Sequence, residues 1–204
     1  MTSAAPIAVL ISGHGSNLQA LIDAIADGRL EARIAVVVSN RAGAQGLERA
    51  QRAGIETLTL PHRDYASRED FEAVLVRELR ARDVRLVCLA GFMRLLGPTF
   101  LSAFPGATLN IHPSLLPAFP GVDAQRQAWD YGTKVAGATV HIVNGELDGG
   151  PIVMQRAIAV NNADSAETLA ARILEIEHAI FPEAVALVIA GGWTIEGRRF
   201  VGPR

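Results

Sequence analysis

The chain alternates short apolar runs rich in β-branched residues with segments in which apolar residues recur every three to four positions. Runs of the first kind predict buried strands, and segments of the second kind predict amphipathic helices. A chain that alternates the two builds βαβ units around a parallel sheet, with right-handed crossovers. The pattern therefore predicts an α/β fold with a mostly parallel twisted sheet and flanking helices.

The individual elements follow from the same periodicities. Predicted strands lie near Ile7–Ile11, Ile34–Ser39, Glu56–Leu60, Leu86–Ala90, Ala107–Asn110, Val135–Ile142 and Ile152–Val160. Predicted helices lie near Asn17–Asp27, Gln45–Ala53, Arg68–Arg82, Val122–Asp130 and Ala166–Ala190. Pro182 is expected to kink or divide the last helix. Prolines after His112 indicate an ordered loop, and the C-terminal segment predicts a hairpin that turns at Glu196–Gly197.

Composition restricts the kind of partner. The 204 residues, half of them hydrophobic, suffice for the core of one domain. The 19 basic and 21 acidic residues are interspersed, so no basic stripe suits nucleic acid or an anionic membrane surface. The apolar stretch Ile7–Ile11 runs into a glycine loop and has no cleavage site after it. Cys88, in an apolar run, is expected to be a buried thiol in a reducing compartment. We therefore expect a cytoplasmic protein that acts on small molecules.

A glycine loop, I-S-G-H-G-S-N at Ile11–Asn17, joins the first predicted strand to the first predicted helix. Backbone N–H groups and the helix dipole at such a turn favour an anion. A tight turn capped by Ser16 or Asn17 is the alternative that this motif leaves open. Leu18 stands where a dinucleotide fingerprint needs its third glycine, and no lysine follows as in a Walker loop. The loop therefore suits a single phosphate.

Three further polar residues are candidates for chemistry. Asn110 and His112 share one face at the end of a predicted strand, where ligands of open α/β sheets bind, so both could reach one substrate oxygen. Asp148 precedes two glycines in a loop between two apolar strands, and a carboxylate near His112 would favour the protonated imidazole. The alternatives are a surface His beside a strand-capping Asn, and a simple Asp-Gly hairpin turn.

Other chemistries have less support in the sequence. The five histidines show no ligand spacing and only one cysteine exists, so no metal is expected. Neither Ser12 nor Ser114 stands in a G-x-S-x-G elbow, which disfavours a serine hydrolase. Lys134, the only lysine, lies in a polar turn that is unsuited to Schiff-base chemistry. His141 lies in an apolar strand and is interpreted as a core residue.

The strings G-H-G-S-N, A-G-F-M-R-L-L, L-N-I-H-P-S-L-L-P and E-L-D-G-G-P-I occur in this order. With them, nearly the whole chain resembles the glycinamide ribonucleotide formyltransferases of purine synthesis. The resemblance implies a Rossmann-like formyltransferase fold in a single domain over residues 1–204. Its ribonucleotide-binding half would be 1–100, and its folate-binding and catalytic half 101–204. It also implies 10-formyltetrahydrofolate as co-substrate, no metal, and a cis peptide at Leu116–Pro117. We expect a monomer or homodimer, since the sequence does not distinguish the two.

The resemblance assigns roles to individual residues. Asn110, His112 and Asp148 would be catalytic: the glycinamide amine attacks the formyl carbon, Asn110 and protonated His112 stabilise the oxyanion, and Asp148 keeps His112 charged. The phosphate and ribose of the ribonucleotide would contact Gly15, Ser16, Asn17 and Glu177. The folate site would comprise Arg68, Leu89, Met93, Arg94, Leu95, Leu96, Leu101, Thr108, Asn144, Gly145, Glu146 and Leu147.

Several functions share these strings. A formyltetrahydrofolate hydrolase usually carries an extra N-terminal domain and a methionyl-tRNA formyltransferase an extra C-terminal one, so a chain of this length is expected to be neither. A formyltransferase that acts on another amino sugar nucleotide remains an alternative. A non-catalytic nucleotide-binding α/β module is another alternative. Such a module would need the glycine loop but would have no need for Asn110, His112 and Asp148 together.

Overall fold

The computed structural model describes residues 4–202, in which strands and helices alternate along most of the chain. The strands are β1 (Ala5–Ile11), β2 (Ala32–Ser39), β3 (Thr57–Thr59), β4 (Leu86–Leu89), β5 (Thr108–His112), β6 (Val135–Ile142), β7 (Ile152–Ala159), β8 (Thr194–Glu196) and β9 (Arg199–Val201). The helices are α1 (Ser16–Ala26), α2 (Gln45–Arg52), α3 (Arg68–Arg80), α4 (Pro98–Leu101), α5 (Ala124–Tyr131) and α6 (Ala166–Ala190). The chain divides into two compact units, one ending at Leu109 and the other starting at Asn110.

The first unit has a parallel sheet in the order β3-β2-β1-β4. Its central strand, β1, is buried from Ile7 to Ile11, as expected for a parallel strand with both faces covered. Ile11 pairs with Ser39 at the end of β2, and Leu10 pairs with Leu89 at the end of β4. The carboxyl ends of these strands therefore meet at one edge, where the glycine loop leaves β1.

The second unit is organised around the antiparallel pair β6 and β7, which runs from Val135 opposite Ala159 to His141 opposite Ile152, with a shift of register between Val140 and His141. Helix α6 packs on both strands and buries apolar side chains along its length. The loop that carries Asp148 joins β6 to β7. Strands β8 and β9 pair antiparallel around Gly197, at a φ of 62°, which confirms the predicted terminal hairpin.

The prediction of a mostly parallel α/β fold with flanking helices is confirmed, and the bounds of the predicted elements agree within two residues. Two details were wrong. Strand β5 does not end at Asn110 but continues through His112, with Ile111 and His112 buried. Of the two outcomes expected at Pro182, division of the helix is wrong: α6 runs through the proline, because buried side chains on both sides of it hold the turns against the sheet. Among the described residues, no helix combines the length and apolarity needed to cross a membrane.

Two short elements were not predicted. A single 3₁₀ turn lies at His62–Asp64, and α4 follows Gly97. The buried Glu72 carboxylate accepts hydrogen bonds from the amides of Gly97 (2.6 Å) and Phe100 (3.2 Å) and so satisfies the first turn of α4. Because this cap comes from a residue distant in the chain, local sequence patterns carry no signal of it.

Candidate functional site

The glycine loop enters α1 through Gly15, which occupies the N-cap position at φ 71° and ψ 32°. The N-cap is therefore neither Ser16 nor Asn17, and the alternative of a side-chain-capped turn at those residues is wrong. A residue without a side chain at this position leaves the amides of the first helical turn accessible to an anion. Asn17 is buried in the first turn.

A buried polar chain supports this loop from the neighbouring strands. The Ser12 hydroxyl donates to Oδ1 of Asn40 (2.6 Å) and accepts from the amide of Met93 (2.8 Å). The Asn40 side-chain nitrogen lies 3.2 Å from Nδ1 of His62. Burial lowers the pKa of His62, and the nearby positive charge of Arg94 adds to this effect, which favours the neutral ring as acceptor. The loop is thus tied to the ends of β2 and β4.

Most of the predicted folate residues of the first unit lie in β4, in the segment that follows it, and at Thr108 in β5. Met93 and Leu95 expose 59% and 62% of their surface, whereas Leu89 and Leu96 are buried. Thr108 is buried, and its hydroxyl has no hydrogen-bond partner among residues 4–202. Exposed apolar side chains and an unsatisfied buried hydroxyl are features that a largely apolar ligand with a few polar atoms would complement.

The remaining predicted folate residues are spread over both units. Exposed or partly exposed positions are Arg68, Arg94, Leu101, Asn144, Gly145, Glu146 and Leu147. Arg68 Nε lies 3.8 Å from Oε1 of the buried Glu72, and its guanidinium covers Gly97. In the second unit, Asn144 Oδ1 accepts from the Glu146 amide (3.0 Å), which closes a tight turn ahead of Asp148. Glu177, the predicted ribose ligand, lies buried in α6.

In the second unit, the three predicted catalytic residues lie together. Asn110 and His112 project from β5, and Asp148 approaches from the loop after β6. Oδ2 of Asp148 lies 3.5 Å from Nδ1 of His112. The sequence contained no measure of this distance, because 35 intervening residues separate the two positions. Both side chains are largely buried, so the charge of the carboxylate acts on the imidazole with little screening by water.

The Asp148 carboxylate is held ionised. Its backbone adopts φ 49°, a conformation that Asp and Asn tolerate better than other residues with side chains. Burial by itself favours the neutral carboxyl. It is outweighed by the nearby His141 ring, by the Gly121 amide at 2.7 Å and by the charge of His112, so the pKa of Asp148 lies below its ordinary value.

The His112 ring meets an acceptor at each nitrogen. Its Nε2 lies 2.8 Å from the carbonyl oxygen of Phe119, and its Nδ1 faces Asp148. Only the protonated imidazole can donate at both positions. The contact with Phe119 means that Nε2 of His112 already donates to the backbone of the proline-rich loop after β5. The Leu116–Pro117 peptide in that loop is cis, which confirms what the resemblance implied.

A fourth residue, His141, belongs to the same cluster. Its Nε2 lies 3.1 Å from the side-chain nitrogen of Asn110 and 3.6 Å from Oδ1 of Asp148, while Nδ1 lies 3.1 Å from the carbonyl oxygen of Ile142. The interpretation of His141 as a core residue was right about its burial but missed its partners. The available signal was its position near the end of the strand that leads into the Asp148 loop. Among residues 4–202, no group of three or more His, Cys, Asp or Glu side chains is arranged to hold a metal ion.

Comparison with known proteins identifies the family. The family described as "Formyl transferase" matches residues 5–185. The chain belongs to this family. The chain is 47% identical over 192 residues to the phosphoribosylglycinamide formyltransferase of Escherichia coli, a match that covers 94% of this chain and 88% of that protein. It is 46% identical to part of the human trifunctional purine biosynthetic protein adenosine-3, of which it spans 18%. The corresponding Drosophila melanogaster protein is 48% identical, and the chain spans 14% of it.

Solved structures agree with this assignment. The crystal structure of glycinamide ribonucleotide transformylase 1 from Symbiobacterium toebii superimposes with a TM-score of 0.97 at 52% identity, covering all of this chain and 96% of that one. The phosphoribosylglycinamide formyltransferase of Coxiella burnetii superimposes with a TM-score of 0.93 at 43% identity. The fold described above is therefore the fold of these formyl transferase family members.

Proposed function

We propose that this member of the formyl transferase family transfers the formyl group of 10-formyltetrahydrofolate to the amine of glycinamide ribonucleotide. The observation that carries the proposal is the buried cluster in which an ionised Asp148 lies 3.5 Å from His112, next to the amide of Asn110. Such a cluster supplies both positive charge and hydrogen-bond donors to an oxygen that gains negative charge. The names of the E. coli and S. toebii relatives support the identity of the acceptor.

The proposed reaction requires two bond changes and two proton movements. The acceptor amine forms a bond to the formyl carbon, and the bond from that carbon to the folate nitrogen breaks. One proton leaves the attacking amine and one reaches the departing nitrogen, so no oxidant or metal is needed for the balance. Asn110 and protonated His112 stabilise the negative oxygen, and Asp148 keeps His112 charged and assists the proton movement.

His112 needs a free donor to take part. Because Nε2 donates to the Phe119 carbonyl, that contact has to be exchanged for the formyl oxygen when the substrate binds. Phe119 has a positive φ of 55°, which is unfavourable for an aromatic residue and lowers the cost of a local backbone change. Asn110 is already oriented, because His141 accepts one of its two side-chain N–H groups and leaves the other to the substrate.

The binding residues are assigned from the loop geometry and the resemblance. Gly15, Ser16 and Asn17 hold the phosphate at the start of α1, and Glu177 contacts the ribose. The exposed apolar segment at Met93–Leu96 and the Asn144–Leu147 loop contact the folate. The exposed apolar side chains of the first segment suit the flat aromatic faces of a pterin ring, and the unsatisfied Thr108 hydroxyl suits one of the polar atoms along its edge.

Turnover measured with and without the acceptor tests the proposal. We expect the absorbance change of folate deformylation only when glycinamide ribonucleotide is present, together with a product heavier by one formyl group in mass spectrometry. The same rate without the acceptor would identify a hydrolase and overturn the proposal. The same assay with other phosphorylated amino sugars as acceptors checks the acceptor class. Faster transfer to one of them would show that this compound, and not glycinamide ribonucleotide, is the substrate.

A further inference from the structure

The first turn of α2 lies directly against the glycine loop. The amide of Gly46 donates to the carbonyl oxygen of Gly13 at 3.0 Å. A Cβ atom at Gly15 would lie 2.6 Å from the Cα of Gly46, and a Cβ at Gly46 would lie 3.2 Å from the Cα of Gly15. The two backbones approach closely enough that only glycine fits at both positions.

Arg49, one turn further along α2, makes a second connection. Its Nε donates to the carbonyl oxygen of His14 at 2.9 Å, and one terminal nitrogen lies 3.4 Å from Oε1 of Gln19 in α1. The His14 ring also contacts α2, with Nδ1 2.7 Å from Oε1 of Gln45. Arg49 is partly buried and so has fewer conformations to lose on making these contacts than a fully exposed arginine.

These contacts set the direction of the loop amides. In a trans peptide, the carbonyl of one residue and the N–H of the next point in opposite directions. Because α2 takes the carbonyls of Gly13 and His14, the N–H groups of His14 and Gly15 point away from α2. N–H groups turned to one side at the start of a helix form the arrangement that binds an anion.

We propose that Gly46 and Arg49 are positioning residues: from α2, they fix two peptide planes of the glycine loop in the orientation that binds the phosphate of the acceptor. The inference rests on the proposed function, since it assumes that this loop binds that phosphate. Neither residue needs to touch the ligand. Their effect should therefore appear in the affinity for phosphorylated acceptors and not in the affinity for the formyl donor.

Two substitutions test the inference in different ways. Arg49→Met removes the donor to His14, and Gly46→Ala retains every charge but places a methyl group 2.5 Å from Cδ1 of Ile11 and 3.2 Å from the Cα of Gly15. We expect each variant to bind glycinamide ribonucleotide about three- to tenfold more weakly in calorimetry, as for the loss of one or two hydrogen bonds. We expect no change in the affinity for the dephosphorylated nucleoside. The KM for the formyl donor and the kcat at saturating ribonucleotide should also stay as in the wild type. Arg49→Lys should restore part of the affinity.

The matched control is Arg52→Met, since Arg52 lies on the same helix, is exposed and donates to the carbonyl oxygen of Glu48 in its own helix. Asn17→Ala, which alters the loop itself, is measured in parallel. If Asn17→Ala weakens ribonucleotide binding but Gly46→Ala and Arg49→Met bind like the wild type, the positioning role is wrong and the phosphate loop stands. If none of the three weakens binding, the assignment of the loop to phosphate fails as well.

Discussion

Replacing Asp148 by Asn is the sharpest test of the proposed catalytic cluster. Asn tolerates the backbone φ of 49° and its side-chain oxygen can still accept from the Gly121 amide, so the substitution removes a charge and little else. With its oxygen on the Gly121 amide, the new side chain presents that neutral oxygen to His112 and its NH2 group to His141, so both rings lose their carboxylate partner. The substitution therefore removes the negative charge beside the His112 ring.

The separation of the two groups gives the size of the effect. At 3.5 Å, the attraction between unit charges is about 5 kcal/mol for an effective dielectric constant of 20, and about 1 kcal/mol in water. Because the cluster is mostly buried but still partly open to solvent, we expect a loss of about 3–4 kcal/mol in transition-state stabilisation. This corresponds to a fall of roughly 10²–10³-fold in kcat/KM.

The assay is the absorbance change of folate deformylation with the ribonucleotide acceptor, run over a range of pH. Ribonucleotide affinity should stay close to that of the wild type. Asp130→Asn, which removes an exposed carboxylate paired with Arg126, is the matched control and should retain full activity. A loss of less than about threefold in the Asp148 variant would show that the carboxylate does not support catalysis through His112.

The lowered pKa of Asp148 also predicts a pH effect on stability. A carboxylate with a lowered folded-state pKa stabilises the native state above its ordinary pKa, and this contribution disappears as the pH falls through the lowered value. The difference in unfolding free energy between wild type and the Asn variant, from urea titrations, should therefore be present near neutral pH and shrink in acid. A difference that grows in acid would contradict the sign of the shift.

Three other predictions concern separate parts of the molecule. His141→Gln should lower kcat by about 10–100-fold with unchanged ribonucleotide affinity, because it releases the amide of Asn110; equal loss of affinity would point to a general structural role. Glu72→Ala should lower the urea unfolding free energy by about 1–3 kcal/mol, since it removes the acceptor of the Gly97 amide and one of the two acceptors of the Phe100 amide. Because burial raises the pKa of Cys88, a thiol reagent should label it only after unfolding, and rapid labelling of the native protein would contradict this.

The sequence by itself determined the architecture to a large degree. Alternating apolar periods are local, and each strand or helix carries its own period, so the bounds of most elements could be read from neighbouring residues. The glycine loop and the Asn110–His112 pair were also local, since loop chemistry and the alternation of a strand fix where such side chains point. The family resemblance added substrates, because four motifs in order are far more specific than any one of them.

The tertiary structure decided what depends on residues far apart in the chain. It brought the Asp148 carboxylate to His112, added His141 to the cluster and placed the Phe119 carbonyl oxygen against Nε2 of His112. It also showed that α2 holds the glycine loop through Arg49. Such distances depend on strand register and on the path of loops over many residues. Hydrogen bonds between residues far apart in the chain leave no periodic signal in the sequence.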